Sequence, residues 1–343
     1  MEHLSPEIGE PSGNEIIANG SHKSGALAYI LGLDIGGTKT AAVLATAAGR
    51  VLDRFEVATR PEEGFEASFA RVRAVGEEVL RRAQAAGLEI SHIGVSVGGP
   101  LDVERGVIYS PPNLPGWDAV PLKELLEEHF GLPVVVEHDG MAGALAEHRF
   151  GAGRGLKHLI FLTLGTGLGA GLILNGQPYR GATGAAGSVG HVRMAQDGPV
   201  AWGKAGSWEA FSSGTGIGRL AHWRYPEKFS PHVTAKEVAE RAIQHGDPAA
   251  QAVLEEAGEY LGKGLAMLVD ILNPEMIILG SVAVRLGDHL LGPALRVLER
   301  EAEPSALAAV RIVPSELGER IGDLASVAGL LARLEREKEA LKR

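Results

Sequence analysis

The chain reads as an α/β protein built from two domains, and three observations carry that reading. At 343 residues it has room for two domains of roughly 150 residues each. Its first periodic stretch runs strand, strand, strand, helix, strand, which opens an α/β layer fold. A buried strand running into a Gly/Thr-rich turn occurs twice, near Gly36 and again near Thr166, as if two related halves each carried one clamp.

Composition narrows the possible functions. The chain is 45% hydrophobic, enough for substantial cores. A formal charge of −10 argues against a general nucleic-acid or anionic-membrane surface. There is no cysteine, so disulfides, thiolate zinc sites, iron–sulfur clusters and cysteine nucleophiles are excluded. No apolar run approaches the ~18 residues of a membrane helix. Residues 1–24 are polar and lack the basic-then-apolar layout of a signal peptide. A disordered tail over 1–26 and a cytoplasmic location are the expectations.

The apolar run 28–33 predicts a buried strand. It delivers Asp34-Ile-Gly36-Gly37-Thr38-Lys39, and apolar alternation resumes at 41–44. The glycines therefore form a hairpin tip whose open amides suit an anion. Asp34 repels a phosphate, so a bridging cation or a cationic side chain is implied nearby. An ordinary Gly-Gly turn is the plain alternative. The stretch is not a P-loop: Thr38-Lys39 reverses the required order and strand, not helix, follows.

Residues 51–58 predict a third strand, 65–86 an amphipathic helix and 92–98 a short buried strand ending in a turn at 99–102. The loop 110–117 is stiffened by three prolines, and Asn113 and Trp117 are its large groups able to contact a ligand; a rigid connector is the alternative. After a helix over 121–130, the strand 132–137 presents His138-Asp139-Gly140 at its C-terminal end, where open α/β sheets bind ligands. Asp139 is there as a general base or as the N-cap of a helix over 142–150.

The most apolar strand, 159–164, feeds Gly165-Thr166-Gly167-Leu168-Gly169-Ala170-Gly171 and a further strand at 172–174. Alternate glycines weaken a strand ladder, so close approach of a ligand to the backbone is the expected reason. With the first turn, this makes a nucleotide-phosphate site. Residues 181–191 are small and end in His191, which on its own is as readily structural. Glu209 follows, with Gly216 and Gly218 at a helix start. Helices are expected over 233–245, 247–273, 288–301 and 321–342, and strands over 275–279 and 309–313. The pair Gly280-Ser281 would let a flat adenine approach the backbone.

These segments together resemble the sugar-kinase family named for repressor, open reading frame and kinase (ROK), over residues 28–335. The resemblance rests on Asp34-Ile-Gly-Gly-Thr-Lys39, Asn113-Leu-Pro-Gly-Trp117, Glu137-His-Asp139 with Ala144-Leu-Ala-Glu147, Gly165-Thr-Gly-Leu-Gly169, Gly187-Ser-Val-Gly-His191 and Asn273-Pro-Glu-Met-Ile-Ile-Leu-Gly280. It implies a two-domain actin-like ATPase (ribonuclease H-like) fold with an interdomain cleft. The expected domains are 27–138 and 139–320, with the closing helix 321–343 packed on the first. It implies ATP with Mg²⁺ as cofactors, a sugar as partner and a homodimer. By the same resemblance, Asp139 would deprotonate a sugar hydroxyl, and Asp34, Gly36, Gly37, Thr38, Lys39, Gly165, Thr166, Gly167, Gly280 and Ser281 would hold the nucleotide. Asn113, His138, Ser188, His191 and Glu209 would line the sugar.

The chain departs from the family pattern at three points. His138 stands where Asn is common, and Ser188 where Glu is common; both family residues contact sugar. Many members bind zinc through the motif histidine and three cysteines, and this chain has no cysteine, so no protein zinc site is expected. The loop 192–207 would then be held by packing of Trp202 and Trp208. An ATP-dependent hexose kinase acting on the 6-hydroxyl is the expectation, with a catalytically impaired binding protein of the same fold as the alternative. A repressor of the family carries an N-terminal helix-turn-helix, and residues 1–27 lack two helical patterns.

Overall fold

The first sheet grows outward from the apolar run at 28–33. The computed structural model describes residues 29–342, so the tail expected over 1–26 lies outside the described residues. Strand β1 (Tyr29–Ile35) forms an antiparallel hairpin with β2 (Lys39–Ala45), which pairs antiparallel with β3 (Val51–Ala58). Helix α1 (Phe65–Ala85) then crosses over to β4 (Ile90–Val97), parallel to β1. A small hairpin of β5 (Leu101–Asp102) and β6 (Val107–Ile108) and helix α2 (Leu122–Phe130) lead to β7 (Val134–His138), parallel to β4. The order is β3-β2-β1-β4-β7. Central β1 is covered on both faces, so Ile30, Leu31 and Leu33 are all fully buried and its sequence does not alternate. Edge strand β3 does alternate, each half-buried residue followed by an exposed one.

Helix α3 (Asp139–Phe150) leads to the second sheet: β8 (Leu159–Leu162), β9 (Ala170–Leu174) and β10 (Gln177–Pro178), joined as successive antiparallel neighbours. A separate hairpin, β11 (Val200–Ala201) and β12 (Lys204–Ala205), precedes α4 (Trp208–Ser212), α5 (Gly214–Arg224), α6 (Ala235–Ile243) and α7 (Pro248–Leu272). Strand β13 (Met276–Leu279) runs parallel to β8. After α8 (Ser281–Leu286), α9 (Asp288–Glu301) and α10 (Pro304–Ala309), β14 (Arg311–Pro314) lies parallel to β13, and α11 (Ile321–Ala340) closes the described chain. The order β10-β9-β8-β13-β14 repeats that of the first sheet, with the same strand directions. The two Gly/Thr turns are thus equivalent features of two equivalent sheets.

The helices that follow the last strand of each sheet are exchanged. Helix α3 follows β7 but buries Met141, Ala144 and Leu145 with Leu159, Phe161 and Ile173 of the second sheet. Helix α11 follows β14 but packs Val327, Leu330 and Leu331 onto Ile30 and Val43 of the first. The two helices lie against each other. Glu147 on α3 is fully buried. Its carboxylate accepts from Ala152 N–H at 2.9 Å, Ser315 Oγ–H at 2.5 Å and Leu317 N–H at 3.1 Å. It therefore pins α3 to the link between β14 and α11.

Several features differ from the sequence reading. Trp117 is no ligand contact: it is fully buried in the first core, edge-on to Phe65 at 5.2 Å, and its Nε1–H donates to Ser68 Oγ at 2.8 Å. Of the two tryptophans expected to hold the 192–207 loop, only Trp208 is packed inside, whereas Trp202 is 46% exposed. The loop is held mainly by backbone bonds, Met194 N–H to Gly206 O and Trp208 N–H to Val192 O, each 2.8 Å. Helices α4, α8 and α10, of five or six residues, were not predicted because they are too short to show a period.

Replacing Glu147 by Ala orphans three donors at this seam. Urea unfolding should show Glu147→Ala destabilised by about 2–4 kcal/mol. A change within 0.5 kcal/mol would mean that water replaces the carboxylate freely.

Candidate active site

Both glycine turns close on themselves and leave the next two amides open. In the first, Gly36 N–H donates to Lys39 O at 3.0 Å, while Thr59 Oγ–H donates to Gly36 O at 2.6 Å. In the second, Gly165 N–H donates to Gly167 O at 3.0 Å. Among the described residues, the amides of Gly37, Thr38, Thr166 and Gly167 have no acceptor in the chain. Successive open N–H groups at a strand end make an anion-binding concavity. Thr38 and Lys39 are exposed beside the first pair. Lys39 Nζ is 3.5 Å from Glu56 Oε2 in a surface ion pair, weak enough to be exchanged for a phosphate.

The second turn is braced from two sides. Gly214 N–H donates to Gly165 O at 2.7 Å, and Thr215 donates to Thr166 O through its N–H at 3.2 Å and its Oγ at 2.8 Å. Val282 N–H donates to Leu164 O at 2.9 Å, so the Gly280-Ser281 segment lies alongside. Gly280 has a reason independent of any adenine: a Cβ there would fall 2.0 Å from Thr163 O.

Asp139 is the first residue of α3, immediately after the last residue of β7. The N-cap position belongs to His138, whose Nδ1 accepts from Gly140 N–H at 3.2 Å. Asp139 Oδ1 also accepts from Gly140 N–H at 2.6 Å and lies 3.3 Å from His138 Nδ1, with half of the Asp139 side chain exposed. The start of α3 rests on the second sheet so closely that a Cβ at Gly171 would fall 2.1 Å from Gly140 O. Asp139 therefore sits beside the strand leaving the second turn.

Asp34, before the first turn, is electrostatically coupled to Asp139. Its pKa is pushed up to about 6, first by burial and then by the charges of Asp139 and Asp323; Lys39 and the Ser96 hydroxyl oppose the rise. The carboxylate rests on the start of α11, where a Cβ at Gly322 would fall 2.3 Å from Asp34 Oδ2. This crowd of acids is short of positive charge. No group of three or more His, Asp or Glu among the described residues could enclose an ion alone. The Asp34 carboxylate, crowded by Asp139 and Asp323, has the oxygen donors that suit a phosphate-bound Mg²⁺.

The sugar-side candidates divide between the turns. Asn113 is exposed and packs under the first, its carbonyl 2.7 Å from where a Gly37 Cβ would be. Glu209 is buried and braces the second, accepting from Leu168 N–H at 3.0 Å through Oε2. The 187–191 segment is tied to β9 by Ala170 N–H donating to Gly187 O at 2.8 Å. Val192 O accepts from Trp208 N–H, so His191 and Glu209 flank one backbone bond. Ser188 is exposed and its hydroxyl donates to Ala185 O at 2.9 Å, within its own turn.

Sequence reasoning missed several supporting groups. Ser96 pairs with Asp34 across β4 and β1 and was legible as a hydroxyl in an apolar strand. Thr163 Oγ1 accepts from Gly169 N–H at 2.9 Å and shapes the second turn. Asp323 accepts from Arg54 Nε at 2.9 Å, a partnership that only the fold creates. Buried Glu137 pairs with Arg180 and accepts from His138 N–H at 3.1 Å. Burial pushes its carboxyl up and Arg180 pulls it back. A cavity of about 560 Å³ reaches Glu137 and Arg180 but neither Asp139 nor either glycine turn. It is a gap between edge strands β7 and β10, rimmed by ion pairs such as Lys123–Glu127 and Arg149–Glu335, and is separate from the two glycine turns.

Residues 30–331 match the model of the ROK family. A glucokinase of Halalkalibacterium halodurans is 34% identical over 80% of this chain and 87% of its own length. The crystal structure of a ROK hexokinase from Thermus thermophilus aligns with a TM-score of 0.75 and 35% identity, covering 90% of this chain and 99% of that one. A ROK family glucokinase from Streptomyces griseus, solved in complex with glucose and AMPPNP, aligns with a TM-score of 0.74 and 33% identity over 89% and 99% of the two chains. A xylose repressor of Caldicellulosiruptor bescii is 29% identical over 88% of this chain and 78% of its own.

Because the Asp34 pKa is raised in the fold, the stability this group contributes is complete below about 3.8 and is lost as pH rises through about 6. Asp34→Asn should therefore raise the melting temperature of the ligand-free protein more at pH 8 than at pH 5. An equal shift at both values would contradict the assigned burial and repulsion.

Proposed function

Because the chain belongs to the ROK family and has the actin-like ATPase fold, we propose that it is an ATP-dependent kinase of a hexose or related sugar, with the 6-hydroxyl as acceptor. The observation that carries this reading is the two pairs of open amides on equivalent strands, with the half-exposed Asp139 carboxylate beside the strand that leaves the second turn. Phosphoryl transfer asks for positioning and charge stabilisation more than for covalent chemistry, and that is what these parts offer.

In this proposal the amides of Gly37, Thr38, Thr166 and Gly167 bind the transferring phosphates, aided by Thr38 and Lys39. The Gly280-Ser281 segment borders the nucleoside. Asp139 takes the proton of the sugar hydroxyl as its oxygen attacks the γ-phosphorus. Mg²⁺, when bound with the nucleotide, supplies neutralisation of phosphate charge, and Asp34 is the residue placed to meet it. Asn113, His138, His191 and Glu209 hold the other hydroxyls. Glu209 has one oxygen committed to Leu168 N–H, so Oε1 is its group for substrate. The net charge of −10 argues against a nucleic-acid or membrane partner and the lack of cysteine against a thiolate zinc site; a cytoplasmic homodimer completes the proposal.

One observation favours a second reading, a binding protein of this fold with impaired catalysis: the Ser188 hydroxyl is engaged in its own turn. An enzyme would then lack the carboxylate that commonly grips two sugar hydroxyls at that position.

Asp139→Asn should lower kcat by roughly 10²–10⁴ with little change in ATP affinity, read in a coupled ADP assay. Turnover near wild type would remove Asp139 from the reaction. Glucose should bind weakly, and Ser188→Glu should lower its KM by about 10- to 150-fold, the worth of a charge-assisted hydrogen bond. The comparison should include mannose, fructose, N-acetylated hexosamines and an acidic sugar. A wild-type glucose KM well below a millimolar, with no gain in Ser188→Glu, would show that neighbouring groups replace the carboxylate.

A further inference from the structure

We propose that Trp202 is a positioning residue: its indole holds the His191 imidazole in the orientation that receives the sugar. The identity of the substrate rests on the reading above; the contact itself does not.

Trp202 occupies an unfavourable place. It forms, with Gly203, the two-residue turn between β11 and β12, and φ is positive at both residues, 57° and 67°. Such turns favour Asn-Gly or Gly-Gly, because a bulky side chain meets its own backbone in the left-handed region. Trp202 is also 46% exposed, whereas Trp117 and Trp208 are fully buried, so core packing does not explain it. Strain at a surface position is retained where a contact depends on it. The aromatic contact found for Trp202 is His191, with ring centroids 4.9 Å apart and planes inclined by 35°.

The rest of the hairpin is built onto the same segment. Lys204 Nζ donates to His191 O, and Arg193 donates through Nη1 to Ala205 O at 2.8 Å. Arg193 also bridges to Ser207, and Val192 O accepts from Trp208 N–H beside Glu209. Backbone bonds therefore fix the His191 main chain relative to Glu209 but not the ring. His191 is exposed, and among the described residues its ring has no hydrogen bond. The indole is what restricts the ring's rotamers. A side chain already ordered in the free protein loses less freedom when substrate binds.

The test combines ring spectroscopy, kinetics and a double-mutant cycle on the full chain. In wild type, the His191 ring protons should carry an indole ring-current shift that disappears in Trp202→Ala. Trp202→Ala should raise the KM of the best hexose among glucose, mannose and fructose by about three- to tenfold. Its kcat, ATP KM and melting temperature should stay unchanged, and Trp202→Phe should restore the sugar KM. His191→Ala with Trp202→Ala should cost no more than His191→Ala alone. An unchanged sugar KM in Trp202→Ala, or multiplying effects in the double variant, would overturn the proposal. If no hexose is phosphorylated, the kinase reading fails by itself. Calorimetric titration of the same sugars into wild type and Trp202→Ala, with the ring-current shift, then decides the role of Trp202: equal affinities or no ring-current shift would overturn it.

Discussion

The exchange of α3 and α11 between the two sheets is the constraint on which the cleft depends. Asp139 belongs by chain connection to the first sheet, since it directly follows β7. Its position is nevertheless set by α3 packing on the second sheet, where Gly140 lies against Gly171. Asp34 shows the reverse relation: it is the last residue but one of β1, yet its carboxylate rests on α11, which enters from the second sheet. Each half thus supplies a helix that fixes an acid of the other. The buried Glu147 carboxylate, bonded to the link between β14 and α11, ties the two exchanges together.

Charge at the site follows from this geometry. Burial, and then the charges of Asp139 and Asp323 that the exchanged helices bring near, push the Asp34 pKa up to about 6. One member of this group, Asp323, is compensated internally by Arg54. Behind Asp139, Glu137 is buried with Arg180, a pair whose desolvation is costly and which is unsafe to break from one side. The surplus of negative charge around the first turn, next to open amides that attract anions, suits a ligand that brings both phosphate and a cation.

Much of this was legible in the sequence because it is local. The two turns announced themselves as glycines and hydroxyls after apolar strands, and helices α1, α7 and α9 by their period. The doubled architecture followed from the paired turns. The misreadings were non-local. Trp117 looked available for a ligand, but Phe65 and Ser68 enclose it. Trp202 read as core packing, although its hairpin turn carries it to His191. Arg180 and Asp323 gain their partners only when the sheets assemble. The short helices α4, α8 and α10 have too few turns to leave a period.

The most direct test is a crystal structure of the chain with a bound hexose and Mg²⁺–AMPPNP. The account predicts phosphate oxygens on the amides of Gly37, Thr38, Thr166 and Gly167, and one sugar hydroxyl within about 3 Å of an Asp139 carboxylate oxygen. Phosphates bound elsewhere, such as beside Arg180 in the gap between β7 and β10, or a sugar held out of reach of Asp139, would contradict it.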